Sequence, residues 1–277
     1  MPLTFHKMHG AGNDFVLIDA RQQDFRIDRD LASRLSDRHR GVGCDQILVL
    51  RAAGETAHVA RYEIWNSDGS EAGQCGNGAR CIGLYLEMNG ETGATPFVVE
   101  SPAGPVRMQR CPDGEFEIDM GRPDFDPAAV PVTAAAEGGL YRLDSPWGRL
   151  EFGAVSMGNP HALVLTRNID DAEIPAVGQF LGTHEVFPEG CNVGFAQLAG
   201  PSRIHLRVIE RGVGETLACG SGCCAAVAIL RRSGKSGDEV EVVQPGGRLV
   251  IKWPGSEAPL SMKGPAEHVF RGILNER

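Results

Sequence analysis

Short apolar runs rich in β-branched residues recur along the first half of the chain, FVLID at 15–19 and ILVL at 47–50, and along the second, ALVL at 162–165 and RIHLRVIE at 203–210. Runs of this length and composition predict strands. In each half the pattern then lengthens into a helical one directly after a Cys-Gly-x-Gly turn, as ARCIGLYLEMNG from Ala79 and as CCAAVAILRRSG from Cys223. The first ends in Asn89-Gly90 and the second in Arg231, Arg232, Ser233 and Gly234; basic residues and a closing glycine are C-terminal helix signals. FEIDMG (116–121) and RLVIKW (248–253) read as strands that close each half, and the Pro-rich stretch 122–131 reads as a connector. The domain boundary is therefore expected near Gly121. HVFRGIL (268–274) reads as one further strand, which the pattern alone assigns to neither half.

The two halves echo each other. NSDGSEAGQCGNGARC (66–81) matches ERGVGETLACGSGCCA (210–225), setting Glu71 on Glu215, Cys75 on Cys219, Gly76 on Gly220 and Gly78 on Gly222 at a shift of 144 residues. GNDFVLID (12–19) answers GNPHALVL (158–165), with Asn13 on Asn159; GCDQILVL (43–50) answers GCNVGFAQ (190–197), with Gln46 on Asn192; both residue pairs stand 146 apart. Chance recurrence among 36 glycines would not keep both order and spacing, so the chain reads as a duplication.

Composition narrows the function. A chain of 277 residues has room for one large domain or two ordinary ones, and the duplication favours two. The 42% hydrophobic and 23% charged shares belong to a folded globular protein. A net charge of -9 without a cluster of Lys and Arg excludes the basic footprint of a nucleic-acid binder. No apolar run approaches a membrane span, and MPLTFHKMHG lacks the apolar segment of a secretory signal. A cytoplasmic protein is expected. The eight cysteines are too sparse for a disulfide scaffold. Cys44, Cys81, Cys111, Cys191, Cys223 and Cys224 read as small buried hydrophobes.

Cys75 and Cys219 differ because each precedes Gly-x-Gly and the start of a helix. Glycines there let free backbone N–H groups approach a ligand, and the positive end of the helix dipole favours an anion such as a carboxylate. The same field stabilises a thiolate, lowering a cysteine pKa from about 8.5. Two such cysteines on opposite sides of one carbon suit the inversion of a stereocentre, one thiolate removing a proton and the opposite thiol returning one. An α-proton beside a carboxylate is weakly acidic, and the usual remedy is a pyridoxal Schiff base on lysine. The four lysines, Lys7, Lys235, Lys252 and Lys263, are scattered and sit in no convincing cofactor loop. The carbanion is then expected to rely on helix N-termini in a site closed to water, without a cofactor.

GAGNDF, NSDGSEAGQCGNGARC, MGNPH, FPEGCNVGF and ERGVGETLACGSG, spread over nearly the whole chain, resemble the motifs of diaminopimelate epimerases. The resemblance implies an α/β (α+β) fold of two pseudo-symmetric lobes, each a barrel-like, mostly antiparallel sheet around a central helix, with the active site in the cleft between them. The lobes would be 1–120, with 263–277 returning to it, and 121–262. It implies a cofactor-independent interconversion of LL- and meso-diaminopimelate, a step of lysine and peptidoglycan precursor biosynthesis, with Cys75 as proton donor and Cys219 as acceptor for the LL substrate. Gly76, Asn77, Gly220 and Ser221 would surround the reacting carboxylate. Asn13, Gln46, Asn66, Asn159, Asn192, Glu210 and Arg211 would line the substrate pocket, and His161 and Glu210 would tune the thiols. No metal is implied, the only partner is the small-molecule substrate, and a homodimer is left open. Two positions depart from the family pattern: Cys191 stands where threonine is expected, and Gln74 where methionine or leucine is common.

Three other readings compete. A proline-type racemase of the same superfamily also uses facing cysteines, but MGNPH, ERGVGET and the pocket asparagines argue against it. A structural metal site is disfavoured because Cys75-x5-Cys81 and Cys219-x3-Cys223-Cys224 are not paired C-x2-C clips. A Cys75–Cys219 disulfide is expected only as an inactivating result of oxidation.

Overall fold

The computed structural model describes residues 3–255 and 258–274. The chain divides into two compact units, one running to Asp119 and resuming at Lys263, the other being Met120–Met262. Residues 275–277 of the expected returning segment lie outside the described residues.

The first unit contains β1 (Leu3–Gly10), β2 (Asn13–Asp19), α1 (Arg29–Ser36), β3 (Gln46–Arg51), β4 (Ala60–Asn66), α2 (Gly76–Met88), β5 (Phe97–Ser101), β6 (Gly104–Arg110) and β7 (Phe116–Asp119). The second contains β8 (Tyr141–Ser145), β9 (Gly148–Ser156), β10 (Pro160–Leu165), α3 (Ile174–Gly182), β11 (Asn192–Leu198), β12 (Arg203–Glu210), β13 (Gly214–Thr216), α4 (Gly220–Arg232), β14 (Glu239–Gln244) and β15 (Gly247–Lys252). β16 (Ser261–Gly264) crosses the sequence boundary at Lys263, and β17 (Glu267–Leu274) pairs with β1.

In the first unit the strands follow the order β17-β1-β2-β3-β4-β5-β6-β7, parallel at β2–β3 and β4–β5 and antiparallel elsewhere. α2 packs on β17 and β1 at one end of that order and on β6 and β7 at the other. The sheet therefore curls around the helix. β2 and β3 are buried on both faces, which is why they read as unbroken apolar runs. Phe15 and Leu48 approach Gly78 of α2, while Val16, Ile18, Ile47 and Val49 pack with Ala32 and Leu35 of α1. Each fully buried Leu, Ile or Phe contributes about 1.5–3 kcal/mol relative to exposure.

The second unit repeats this scheme as β8-β9-β10-β11-β12-β14-β15, with β13 also paired to β12 and α4 packed on β9, β10, β11 and β15. α3 packs through Ile174, Val177 and Leu181 on Val193, Phe195 and Ile209. The duplication extends to the register. Phe15 pairs with Gln46 in parallel and Gln46 with Asn66 antiparallel; His161 pairs with Asn192 in parallel, and Val193 with Ile209 antiparallel, so that Asn192 and Glu210 follow on the next rung. β17 fills in the first unit the place that β8 fills in the second, with Gly272 against Phe5 and Tyr141 against Phe152.

Both central helices end alike. Gly90 (φ 72) and Gly234 (φ 71) take the left-handed conformation, and Glu91 N–H and Lys235 N–H reach back to the carbonyls of Leu86 and Leu230 in the Schellman pattern. Among the described residues no helix is long and apolar enough to cross a membrane.

Candidate active site

Cys75 and Cys219 occupy the N-cap positions of α2 and α4, with extended backbone angles of φ -145, ψ 106 and φ -123, ψ 105. Cysteine is not among the residues that caps favour, so its presence at both helix starts calls for a role other than capping. The first-turn N–H groups that follow, at Gly76-Asn77 and Gly220-Ser221, have no partner within their helix and point towards any acceptor at the cap.

In the first unit the Cys75 sulfur accepts the Gly78 N–H at 3.4 Å and its thiol donates to Asn13 Oδ1 at 3.7 Å. Asn77, buried at the start of α2, donates its Nδ2 to that same oxygen at 3.1 Å. Asn13 stands at the start of β2 and donates its own Nδ2 to Asp45 Oδ2 at 2.9 Å. On the adjoining rung Gln46 donates to Asn66 Oδ1 at 2.8 Å, and Asn66 donates to Ser70 Oγ at 3.0 Å.

In the second unit Cys219 is almost fully buried, and its N–H donates to Gln244 Oε1 at 2.8 Å. Its sulfur lies 3.7 Å from Ser221 Oγ. Glu210 at the end of β12 accepts the Thr216 hydroxyl proton. His161 Nε2 lies 3.0 Å from Asn159 Oδ1. Asn192 donates to the Pro160 carbonyl at 3.2 Å and accepts the Arg211 N–H at 3.0 Å, and the Arg211 guanidinium donates to the Glu189 carbonyl at 2.9 Å.

The electrostatics of Cys219 run against the expectation of a lowered thiol pKa. Burial pushes this thiol well above its usual range, and the Glu210 carboxylate pushes it further. The Gly222 N–H and the Ser221 hydroxyl oppose the rise without reversing it, because desolvation of a charge outweighs one or two hydrogen bonds. Burial, reinforced by Arg211, lowers His161 to about 3, so its imidazole is neutral near pH 7. Burial likewise raises Cys44 and Cys81 and pushes Cys191 up to about 12, in keeping with structural thiols. Replacing Glu210 by Gln is expected to lower the pH midpoint of Cys219 alkylation by roughly one unit, the size of effect that one nearby like charge produces. Peptide mapping after iodoacetamide labelling at several pH values measures it; an unmoved midpoint removes Glu210 from the electrostatics of this thiol.

The sequence patterns passed over Asp45, Arg80, Thr216 and Gln244. Thr216 closes the GVGET motif and was within reach of a motif reading; Gln244 ends an ordinary strand and meets Cys219 only because the fold brings residues 25 apart together. No disulfide joins the eight cysteines. Among the described residues no three His, Cys, Asp or Glu side chains are grouped so as to hold a metal ion.

A family model described as diaminopimelate epimerase matches residues 5–125 and 153–269, a span that takes in both cysteine turns. The chain belongs to the diaminopimelate epimerase family. It is 48% identical over 275 residues to the diaminopimelate epimerase of Xanthomonas campestris pv. campestris, covering 99% of this chain and 97% of that protein. It is 45% identical over 276 residues to the diaminopimelate epimerase of Xylella fastidiosa strain M12, covering 98% and 96%. Among solved structures, a hydroxyproline epimerase from Agrobacterium vitis has the same fold with a TM-score of 0.74 at 16% identity, covering 99% of this chain and 92% of that one. A PhzF-family phenazine biosynthesis protein from Bacillus anthracis shares it with a TM-score of 0.69 at 15% identity, each chain being fully covered. This family member is accordingly an isomerase of the epimerase type, built on a fold that also carries other epimerases.

Proposed function

We propose that this epimerase interconverts LL- and meso-diaminopimelate by carrying the α-proton between Cys219 and Cys75, without a cofactor. The observation that carries the reading is the repeated one: each of two duplicated units presents a cysteine at the N-cap of its enclosed helix. With the LL substrate, the Cys219 thiolate takes the α-proton while the Cys75 thiol gives its own proton to the opposite face of the same carbon. One C–H bond breaks, one forms, Cys219 ends as thiol and Cys75 as thiolate, and the reverse reaction exchanges the roles. The first-turn N–H groups at Gly76-Asn77 and Gly220-Ser221 hold the reacting carboxylate as negative charge builds on it. Asn66, Asn159, Asn192, Gln46, Glu210 and Arg211 hold the non-reacting end, Arg211 through the two-pronged contact that suits a carboxylate. Asn13 contacts the thiol side, and Glu210 with neutral His161 sets the proton affinity around Cys219.

A buried thiol of raised pKa is a scarce thiolate at pH 7 and a strong base once formed. That trade suits an α-proton of very low acidity. We place the enzyme in the cytoplasm, in lysine and peptidoglycan precursor synthesis, and we take the exposed Val269, Phe270 and Ile273 of β17 as the surface on which two copies would associate.

The reading predicts that protein purified with a metal chelator and no added pyridoxal phosphate converts LL-diaminopimelate to the meso form and leaves L-proline and hydroxyproline unchanged, as followed by chiral chromatography. Turnover of proline in preference would assign the chain to the rival proline-type chemistry on the same fold.

A further inference from the structure

Arg80 lies one turn into α2 and is completely buried. A guanidinium in that position must be met by oxygens. Its Nη2 donates to Asn77 Oδ1 at 2.8 Å and its Nε donates to the Pro265 carbonyl at 3.1 Å. An amide has one accepting end and one donating end. With Arg80 on Oδ1, Asn77 turns Nδ2 to Asn13 Oδ1, and with Asp45 on its Nδ2, Asn13 turns Oδ1 inward. Asp45 is held in turn by Arg38, which also binds Asp14. The relay ends at Cys75, whose thiol meets the Asn13 oxygen, an acceptor.

We infer that Arg80 is a positioning residue: together with Asp45 it locks the Asn77–Asn13 amide relay in the orientation that presents an oxygen to Cys75 and so keeps a proton on that sulfur. The backbone closes tightly on the relay, since a Cβ on Gly10 would lie 3.1 Å from Arg80 Nη2 and 3.4 Å from Asn77 Cβ. The second unit lacks the device. The positions that match Arg80 and Asn77 are Cys224 and Ser221, and the Ser221 hydroxyl beside Cys219 is free to turn its hydrogen towards the sulfur. The side-chain hydrogen-bond partners of the duplicated thiols thus differ, an accepting oxygen at Cys75 and a hydroxyl able to donate at Cys219, while burial and the Glu210 carboxylate act on Cys219 in the opposite sense; which thiol starts as donor rests on the epimerase reading, and the relay does not.

The test is the pH profile of Cys75 alkylation by iodoacetamide, read on the Cys75 peptide by mass spectrometry in the full chain. The double variant Arg80→Met with Asp45→Ala frees both amides to rotate and bring N–H groups to the sulfur, and its midpoint is expected to fall by about one unit. Arg80→Met alone shifts it less. Arg80→Lys, which keeps a cationic donor beside Asn77, is expected to stay near the wild-type midpoint. A double variant with native near-ultraviolet circular dichroism and an unmoved midpoint overturns the inference, as does Arg80→Lys behaving like Arg80→Met. Should Arg80→Met fail to fold, Asp45→Ala releases the other end of Asn13 and is expected to shift the midpoint the same way; an unmoved midpoint there overturns the relay too. Labelling reads the relay whether or not the chain turns over diaminopimelate, so its failure and that of the epimerase reading are separable.

Discussion

Replacing Cys219 or Cys75 by Ser lowers the turnover of LL-diaminopimelate by roughly 10²–10⁴-fold, the contribution of a positioned acid or base, with both variants still folded. Serine is the instructive substitution because it is a better helix N-cap than cysteine and accepts from first-turn N–H groups as the Cys75 sulfur accepts from Gly78. A hydroxyl is a far weaker acid than a thiol, so it neither ionises to act as base nor yields its proton readily. If the cysteines mattered for capping alone, the serine variants would keep their activity and gain stability. At Cys75 alanine would remove the cap together with the chemistry, and the loss of a side-chain cap is worth about 0.5–2 kcal/mol. Steady-state kinetics with parallel urea unfolding separate the two effects. Activity within a few-fold of the parent in either serine variant would remove that residue from the proton-transfer step.

The second large effect concerns acid stability. His161 is held near 3 in the folded protein by burial and by Arg211, against an ordinary value of about 6.5. Between those values the unfolded chain binds a proton at this ring and the folded chain does not, so stability is fully present above about pH 6.5 and is lost as the pH falls towards 3. At 1.36 kcal/mol per unit, this one group removes about 2–3 kcal/mol between pH 6.5 and 4.5. His161→Phe, which installs the residue found at the matching rung of the first unit, Phe15, is expected to flatten the profile by that amount. Urea unfolding of both proteins at the two pH values measures it. His6, also lowered by burial, contributes in the same direction but is common to both proteins and cancels. Asp14, held at about 2 by Arg38 and Lys7 against its own burial, loses its contribution only below its ordinary value of about 3.8, outside this window. Parallel profiles for the two proteins would mean that His161 takes up its proton in the folded state.

Much of the architecture was legible because its signals are local. The helices were placed by Cys-Gly-x-Gly at one end and Gly90 or Gly234 at the other, and α2 and α4 begin at Gly76 and Gly220. The runs FVLID and ILVL were conspicuous because β2 and β3 are covered on both faces. β1, with His6, Lys7 and His9 interrupting its apolar positions, and the short amphipathic α1 gave no comparable signal. The repeat was visible in letters, yet its meaning lies in the ladder: Phe15, Gln46 and Asn66 in one unit answer His161, Asn192 and Glu210 in the other, so titratable groups replace neutral ones on one side only. Arg80 and Asp45 carried no signal, since their action depends on which end of a neighbouring amide they meet. The lowered thiol pKa inferred from the helix dipole gave way at Cys219 to burial, a quantity that a single sequence does not contain.

Proton NMR of LL-diaminopimelate in heavy water, with chelator-treated protein free of pyridoxal phosphate, tests the two-thiol reading most directly. The meso isomer is expected to form with solvent deuterium at one α-carbon only, and Cys75→Ser and Cys219→Ser are each expected to slow net epimerisation by roughly 10²–10⁴-fold. Formation of the meso isomer at the parent rate by either variant, or no exchange at all by the parent protein, would contradict that reading.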